Sequence, residues 1–470
     1  MVDRMGAVRR RLDKDLSRLA AVHNVPGVSV AVLVDGRQVV ERATGVVNLR
    51  TGVAVTPDSL FMIQSIAKVW TATLIMQLVD DGLIELDAPM RAYLPEFRTA
   101  DERASRKITV RHLLTHTGGF EGDIWAPTTA GEDALQRFVD DHVSGAVQYT
   151  PPGEMFSYCS AGYGVLGRLL EVLRQMPYPG VLRRYLARPL GIGELAFSAD
   201  EALAFRTAIG HARPSLDAAQ QPLRVWAVMP PSNPAAGNQL AMSARGLIAF
   251  ARMHLADGVA PDGTRVLSHQ SARAMRERQV DHPAVIGAPS GHGLGWMLPN
   301  RPGVVEHGGD TIGVAAMLRM VPRAGVAVVI LTNGGTVGPL IDELIEPMLS
   351  DISDVAAAPS LPSPHAEARP PDLKRYLGRY ETRTNLHNVS LGEDGRLLLT
   401  RSARNEALTM METAGIATVP QRHDLRWVDG DTFMLADPSG APLRAIEFLG
   451  ADATGRARLL HTGRAARRSD

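Results

Sequence analysis

At 470 residues the chain is too long for one ordinary core, and its length implies two or three folded units. Its 50 basic and 50 acidic residues cancel, so no net field gathers nucleic acid or an anionic membrane surface, and neither is expected as a partner. A single cysteine, Cys159, excludes an internal disulfide framework and a cysteine-rich zinc centre, and a reducing compartment is the simpler expectation.

Along the chain, residues 1–24 carry Leu12, Leu16, Leu19 and Ala20 at helical spacing among charges. They lack the unbroken apolar stretch of a signal peptide, so a soluble, cytoplasmic protein is expected. Residues 27–34 and 38–45 flank Asp35-Gly36 and read as a β-hairpin that begins an antiparallel sheet. The pattern then turns helical over 64–81, with Leu74, Ile75, Leu78 and Val79 on one stripe and Gly82 placed to stop it. Ser65 therefore falls at a helix N-terminus.

Residues of about 87–210 read as a helical insertion, and β-rich runs return at 293–298, 304–307, 315–321 and 326–332. The two halves of the sheet must pair across the insertion. A Pro/Ala-rich linker is predicted over 351–372, which separates residues 1–350 from 373–470. Short strand candidates in the last segment suggest a small antiparallel barrel, with a frayed Arg-rich tail over 464–470.

Three short elements carry chemistry. In Ser65-Ile66-Ala67-Lys68 a helical rise of three residues sets hydroxyl and amine on one face, and the helix start favours the negative charge of attack. With four lysines in the chain, at 14, 68, 107 and 374, the spacing alone is equally explained by an ordinary surface helix. Tyr158-Cys159-Ser160 offers a phenol and a hydroxyl two residues apart, and a nearby Lys68 cation would favour the phenolate; a buried structural tyrosine is the plainer alternative. His307-Gly308-Gly309-Asp310 ends a strand candidate, where two glycines let a ligand approach the backbone; alone, His307 reads as a turn residue.

Taken in order, and with Thr56-Pro57-Asp58-Ser59-Leu60-Phe61, Leu113-Leu114-Thr115-His116-Thr117-Gly118-Gly119, Pro152-Gly153 and Pro234-Ala235-Ala236-Gly237, these elements resemble the class C β-lactamase and penicillin-binding-protein-like serine hydrolases over most of residues 7–350. The resemblance implies an α/β fold: an antiparallel sheet flanked by helices plus a helical domain. The segment Tyr376-Leu377-Gly378-Arg379-Tyr380-Glu381 resembles the opening strand of appended lipocalin-like domains, implying a C-terminal antiparallel β-barrel.

Carried over by residue, the resemblance makes Ser65 the nucleophile, Lys68 its activator and Tyr158 the base that later protonates the leaving group. His307 stands where true β-lactamases have the lysine of Lys-Thr-Gly. The backbone N–H groups of Ser65 and Asp310 would form an oxyanion hole, with Ser160, Gly308 and Gly309 beside the substrate. Thr115 and His116 are expected to hold a loop.

Ser160 departs from the family's asparagine, and together with His307 it weighs against a β-lactam substrate. Esters, thioesters or D-configured peptide-like acyl groups are expected instead, with no cofactor and no metal. Two alternatives are a penicillin-binding-protein-type thioesterase that releases and macrocyclises a nonribosomal peptide taken from a carrier protein, and a binding module without turnover. Gly162-Tyr163-Gly164-Val165-Leu166-Gly167 fits a dinucleotide fingerprint but lacks the preceding strand and the downstream acid, and is read as close helix packing.

Overall fold

Val28, Val30, Val32 and Val34 alternate with Ser29, Ala31 and Leu33 along β1 (Gly27–Val34), and every position is buried because the sheet is covered on both faces. The computed structural model describes residues 3–470 except 216, 284–288, 358, 360, 362–369, 371, 394 and 437–441. The further strands of the first sheet are β2 (Gln38–Gly45), β3 (Val280–Asp281), β4 (Pro289–His292), β5 (Met297–Pro299), β6 (Val305–Thr311), β7 (Val314–Val321) and β8 (Val326–Thr332). Among the described residues they form an antiparallel eight-stranded sheet in the order β2-β1-β8-β7-β6-β5-β4-β3. Val30 pairs with Arg42 on one side and Ile330 on the other, so the early hairpin meets the late strands across the insertion.

On one face, Leu12, Leu16, Leu19 and Ala20 of α1 (Arg4–Val22) pack on the β1 valines together with Leu344, Met348 and Leu349. On the other lies the helix Ala244–Leu255, with α2 (Ala67–Asp80) packed behind it. The one-sided stripe expected for this helix is not what forms: residues 67–78 are all buried, and Trp70 stacks on Phe250 at 4.2 Å. The Ala244–Leu255 helix and the β4–β5 turn cover one side of α2 and the helical insertion the other, so it is the central helix of the domain.

The strand predicted over 293–298 is instead the turn between β4 and β5 and the first two residues of β5. Gly295, at φ +90°, turns the chain tightly against α2, where a Cβ would lie 2.5 Å from the Ala72 methyl carbon. The linker begins two residues later than predicted, because Ile352 is fully buried in α5 (Glu346–Ile352), after α3 (Ser160–Arg174) and α4 (Ala244–Leu255). Residues 358, 360, 362–369 and 371 of that linker lie outside the described residues.

The C-terminal strands are β9 (Gly378–Glu381), β10 (Asn385–Leu391), β11 (Leu397–Ala403), β12 (Gln421–Asp429), β13 (Thr432–Ala436), β14 (Pro442–Leu449), β15 (Leu459–His461) and β16 (Ala465–Arg468). They close into a barrel with α6 (Glu406–Ala414) between β11 and β12. The tail predicted to fray is β16, which closes the barrel through Tyr380↔Arg468. Arg468 is held by the Leu377, Arg375 and Ala457 carbonyls and by the Tyr380 hydroxyl, and these contacts order the terminus.

Candidate active site

The nucleophile candidate sits in a short 3-10 turn, Gln64–Ile66, that runs into α2. Gln64 holds φ +49°, a left-handed conformation costly for a side-chain-bearing residue, and surrounding backbone holds it there. Gly309 of β6 abuts one side: a Cβ there would stand 2.2 Å from the Ile63 oxygen and 2.9 Å from the Ser65 nitrogen. Gly237 abuts another, where a Cβ would be 1.9 Å from the Gln64 oxygen. Gly308, by contrast, would meet nothing closer than 3.8 Å. Gly309→Ala is therefore expected to displace the turn and lower ester turnover by roughly 10²-fold or more, the effect of about 1 Å of misplacement, whereas Gly308→Ala keeps the turn intact. Steady-state rates of the two variants check this.

Lys68, one helical turn on, is buried, and its Nζ lies 3.0 Å from Ser65 Oγ and 3.0 Å from the Ala236 carbonyl. The Pro234–Ala236 turn that supplies this carbonyl also accepts from Thr71 Oγ1 through Ala235 (2.7 Å), and Asn233 Oδ1 accepts from the Ala236 N–H. Burial, and secondarily Arg464, push the Lys68 amine down to about 7. As pH rises above that value it becomes mostly neutral and can take a proton from Ser65. Below about pH 7 the amine is charged and cannot, so kcat/KM for an ester is expected to fall about tenfold per unit there and to level off above. A pH–rate profile flat from pH 5 to 8 would contradict this role.

Tyr158 stands beside the lysine, its ring centroid 5.0 Å from Lys68 Nζ. The expected phenolate does not arise, because burial raises the phenol and the Ser65 hydroxyl offsets this only in part. The buried hydroxyl has no partner in hydrogen-bonding geometry among the described residues, and as a neutral donor it is available to a substrate atom. His116 fixes the segment. At φ +58° and fully buried, it accepts the Cys159 N–H on Nδ1 (2.9 Å) and the Ser157 N–H on its carbonyl (2.9 Å), and its ring stacks on Tyr158 at 4.3 Å.

Cys159 caps α3 through the Gly162 N–H, and burial pushes its thiol up to about 12, which makes it inert at neutral pH. Gly164 and Gly167 face Phe138 and Ala235 in close helix packing. Ser160 opens α3 with its carbonyl accepting from Asn233 Nδ2 at 3.0 Å, so an asparagine does reach this turn, from residue 233.

His307 is fully buried in β6, with Nδ1 2.6 Å from the Gly308 carbonyl. That carbonyl can only accept, so the ring proton is on Nδ1, and Nε2 is an acceptor with no partner among the described residues. Burial, then Lys68, lower it to about 3, so residue 307 is neutral where a β-lactamase lysine would be charged. Asp310 follows with its side chain exposed.

Sequence reasoning missed the residues that the barrel contributes. The β15–β16 turn enters the cleft: Gly463 O accepts the Tyr158 N–H (3.1 Å), Ser157 Oγ accepts the Ala465 N–H (3.1 Å), and His461 Nε2 lies 3.0 Å from the Phe156 carbonyl. Arg464 Cζ lies 4.8 Å from the Tyr158 ring centroid, and its Nε pairs with Asp123 at 2.6 Å. Asp123 is buried, and its carboxyl is pushed up by desolvation against the pull of Arg464. Nearby, Glu121 Oε2 accepts from the Arg383 N–H and the Tyr149 hydroxyl, both at 2.6 Å. A second apolar seam joins Met410 and Ala414 of α6 to Leu223 and Val228.

A helix-start serine bonded to a buried lysine, against strand β6 of an antiparallel sheet, is the architecture of the penicillin-recognising serine hydrolases. The chain belongs to the β-lactamase family, whose description, Beta-lactamase, matches residues 12–344. Penicillin-binding protein 4 of Amycolatopsis lactamdurans is 42% identical over 368 residues, covering 77% of this chain and 95% of its own. The crystal structure of SurE superposes with a TM-score of 0.78 at 29% identity, covering 99% of this chain and 100% of that one, barrel included. The octameric penicillin-binding protein homologue from Pyrococcus abyssi shares the fold at a TM-score of 0.63 and 22% identity, over 97% of this chain and 99% of its own. No helix among the described residues is long and apolar enough to cross a membrane.

Proposed function

We propose that this protein is a serine acyl-enzyme hydrolase or acyltransferase for ester, thioester or D-amino-acid-containing peptide-like substrates. The observation that carries this reading is the 3.0 Å contact between Ser65 Oγ and the Nζ of a lysine held near neutrality. Ser65 Oγ bonds to the substrate carbonyl carbon while its proton passes to Lys68. The backbone N–H groups of Ser65 and Asp310 hold the oxyanion, and the leaving group departs with a proton relayed by Lys68 and Tyr158. Water or an amine then attacks the acyl-enzyme and the proton returns to Ser65.

Neutral His307 offers no charge to a β-lactam carboxylate, which supports esters and peptide-like groups over β-lactams. A SurE structure with D-Leu, 29% identical to this chain over 99% of its length, supports a D-configured residue beside the serine. The experiment is a comparison of kcat/KM for matched D- and L-aminoacyl p-nitrophenyl esters and a penicillin. A preference for the D-ester of at least tenfold is expected, and faster turnover of the penicillin or the L-ester would overturn the reading.

The barrel turn over Tyr158 favours a second reading, in which limited water access directs a peptidyl acyl-enzyme to its own amine and so to a macrocycle. Product analysis of a D-peptidyl thioester separates the two: free acid for hydrolysis, loss of water from that mass for cyclisation.

A further inference from the structure

The barrel interior changes character along its axis. Inward-facing alternate positions at one end are apolar, including Val389, Leu397, Leu425, Phe433, Ile446 and Phe448. Continued along the same strands with the same parity, they become His387 on β10, Arg401 on β11, Gln421 and His423 on β12, and Arg444 on β14. These five polar side chains, with leucines, line a cavity of ≈ 190 Å³, and none of the described lining residues is acidic. At about 30 Å³ per water, that space takes roughly six waters or one compact polar group, not a peptide.

The registers show which way the polar end faces. Arg444 lies near the start of β14, and His461 pairs with Glu447 and Ala465, so the turn that carries Arg464 leaves the barrel at the same end. Arg401 and Gln421 pair at that end too, as do Asn385 and Ala403. The Gly463 carbonyl and the Arg383 N–H, which bind the Tyr158 and Glu121 segments of the catalytic domain, belong to it as well. The cationic mouth therefore faces the active-site side, with Arg464 between the cavity and Tyr158.

Among the described residues the positive charge is poorly compensated. Arg401 donates from Nε to the neutral Asn385 amide at 2.8 Å. Burial, then Arg401 and Arg464, push Arg444 down to about 10. The acid that acts on Arg401 is Asp123, already paired with Arg464. His387 is buried with its Nδ1 lacking a partner among the described residues. Clustered guanidiniums in a half-desolvated cavity repel one another, and an oxyanion entering the mouth relieves that repulsion while accepting charge-assisted hydrogen bonds.

We infer that the barrel mouth is a binding site for an anionic group, a carboxylate or a phosphate, with Arg401 and Arg444 as its charged contacts. The group would belong either to the acyl chain delivered to Ser65 or to the leaving group. This link to substrate rests on the acyl-transfer reading, whereas the anion site does not.

The test is titration calorimetry of the full-length chain at low ionic strength with glutarate and, separately, inorganic phosphate. At least one is expected to bind, and Arg401→Gln and Arg444→Gln are each expected to weaken it tenfold or more. Arg422→Gln, on the opposite parity of β12 and exposed, leaves it unchanged. Binding of glutarate alone assigns the group to an acyl chain, and binding of phosphate alone assigns it to a leaving-group arm. No binding to the wild type, or binding retained in both Arg401→Gln and Arg444→Gln, overturns the site, and the wild-type measurement stands even if a variant fails to fold. Whether Ser65 takes an acyl-like label is read independently, so failure of the acyl-transfer reading is distinguishable from failure of the anion site.

Discussion

Replacing Ser65 by alanine is expected to lower ester turnover by roughly 10⁴- to 10⁶-fold, the range seen when a nucleophile acting as one unit with its base is removed. The fold should not notice. The hydroxyl's side-chain hydrogen bond is to Lys68, which keeps the Ala236 carbonyl, and the backbone of the turn is held by Gly237 and Gly309 rather than by the serine. The change in unfolding free energy should stay within about 0.5 kcal/mol. Turnover in the variant above a thousandth of wild type would move the nucleophile elsewhere.

Lys68→Met is the second large effect. Methionine keeps an unbranched apolar stem among buried neighbours but removes the proton acceptor, so a loss of about 10²- to 10⁴-fold in kcat/KM is expected. Stability should move the other way. The folded-state value near 7 lies below the reference of 10.5, so between those pH values the unfolded chain binds more protons at this position. The wild type should therefore gain stability from this group as pH rises from about 7 to 10.5, and its penalty is fully present below 7. The methionine variant lacks that slope, and its melting temperature should exceed the wild type's most clearly at pH 6. Thermal melts of both proteins across that range check the sign.

Much of the candidate site was legible in the sequence because its residues are brought together by local spacing. Ser65 and Lys68 are three residues apart, one in the 3-10 turn and the other in the first turn of α2, into which it runs, and this start follows from the pattern after Gln64. His307-Gly308-Gly309 marked a close backbone approach, although only coordinates distinguish Gly309, wedged against the nucleophile turn, from Gly308, which has room. The Pro-Ala-Ala-Gly segment was legible as a motif but not as the source of the Lys68 carbonyl 168 residues away.

Electrostatics were less accessible. Proximity of Lys68 to Tyr158 suggested a phenolate, but burial acts on both groups and disfavours both charges. Arg464 was out of reach for a different reason. It lies in a run of arginines near the terminus, and its place over Tyr158 follows from closure of a barrel whose last strand pairs with its first through two residues at each edge. Helix α2 shows the same limit, since a helix packed on every side carries no single stripe to read.

The proposed function rests on Ser65 as the nucleophile that carries the acyl group. Intact-mass spectrometry of the full-length protein after exposure to a fluorophosphonate, followed by peptide mapping, tests it most directly. One phosphonyl group on the peptide containing Ser65 is predicted, forming faster above pH 7 than below and absent from Ser65→Ala. A label on any other residue, or one that persists in Ser65→Ala, would contradict it.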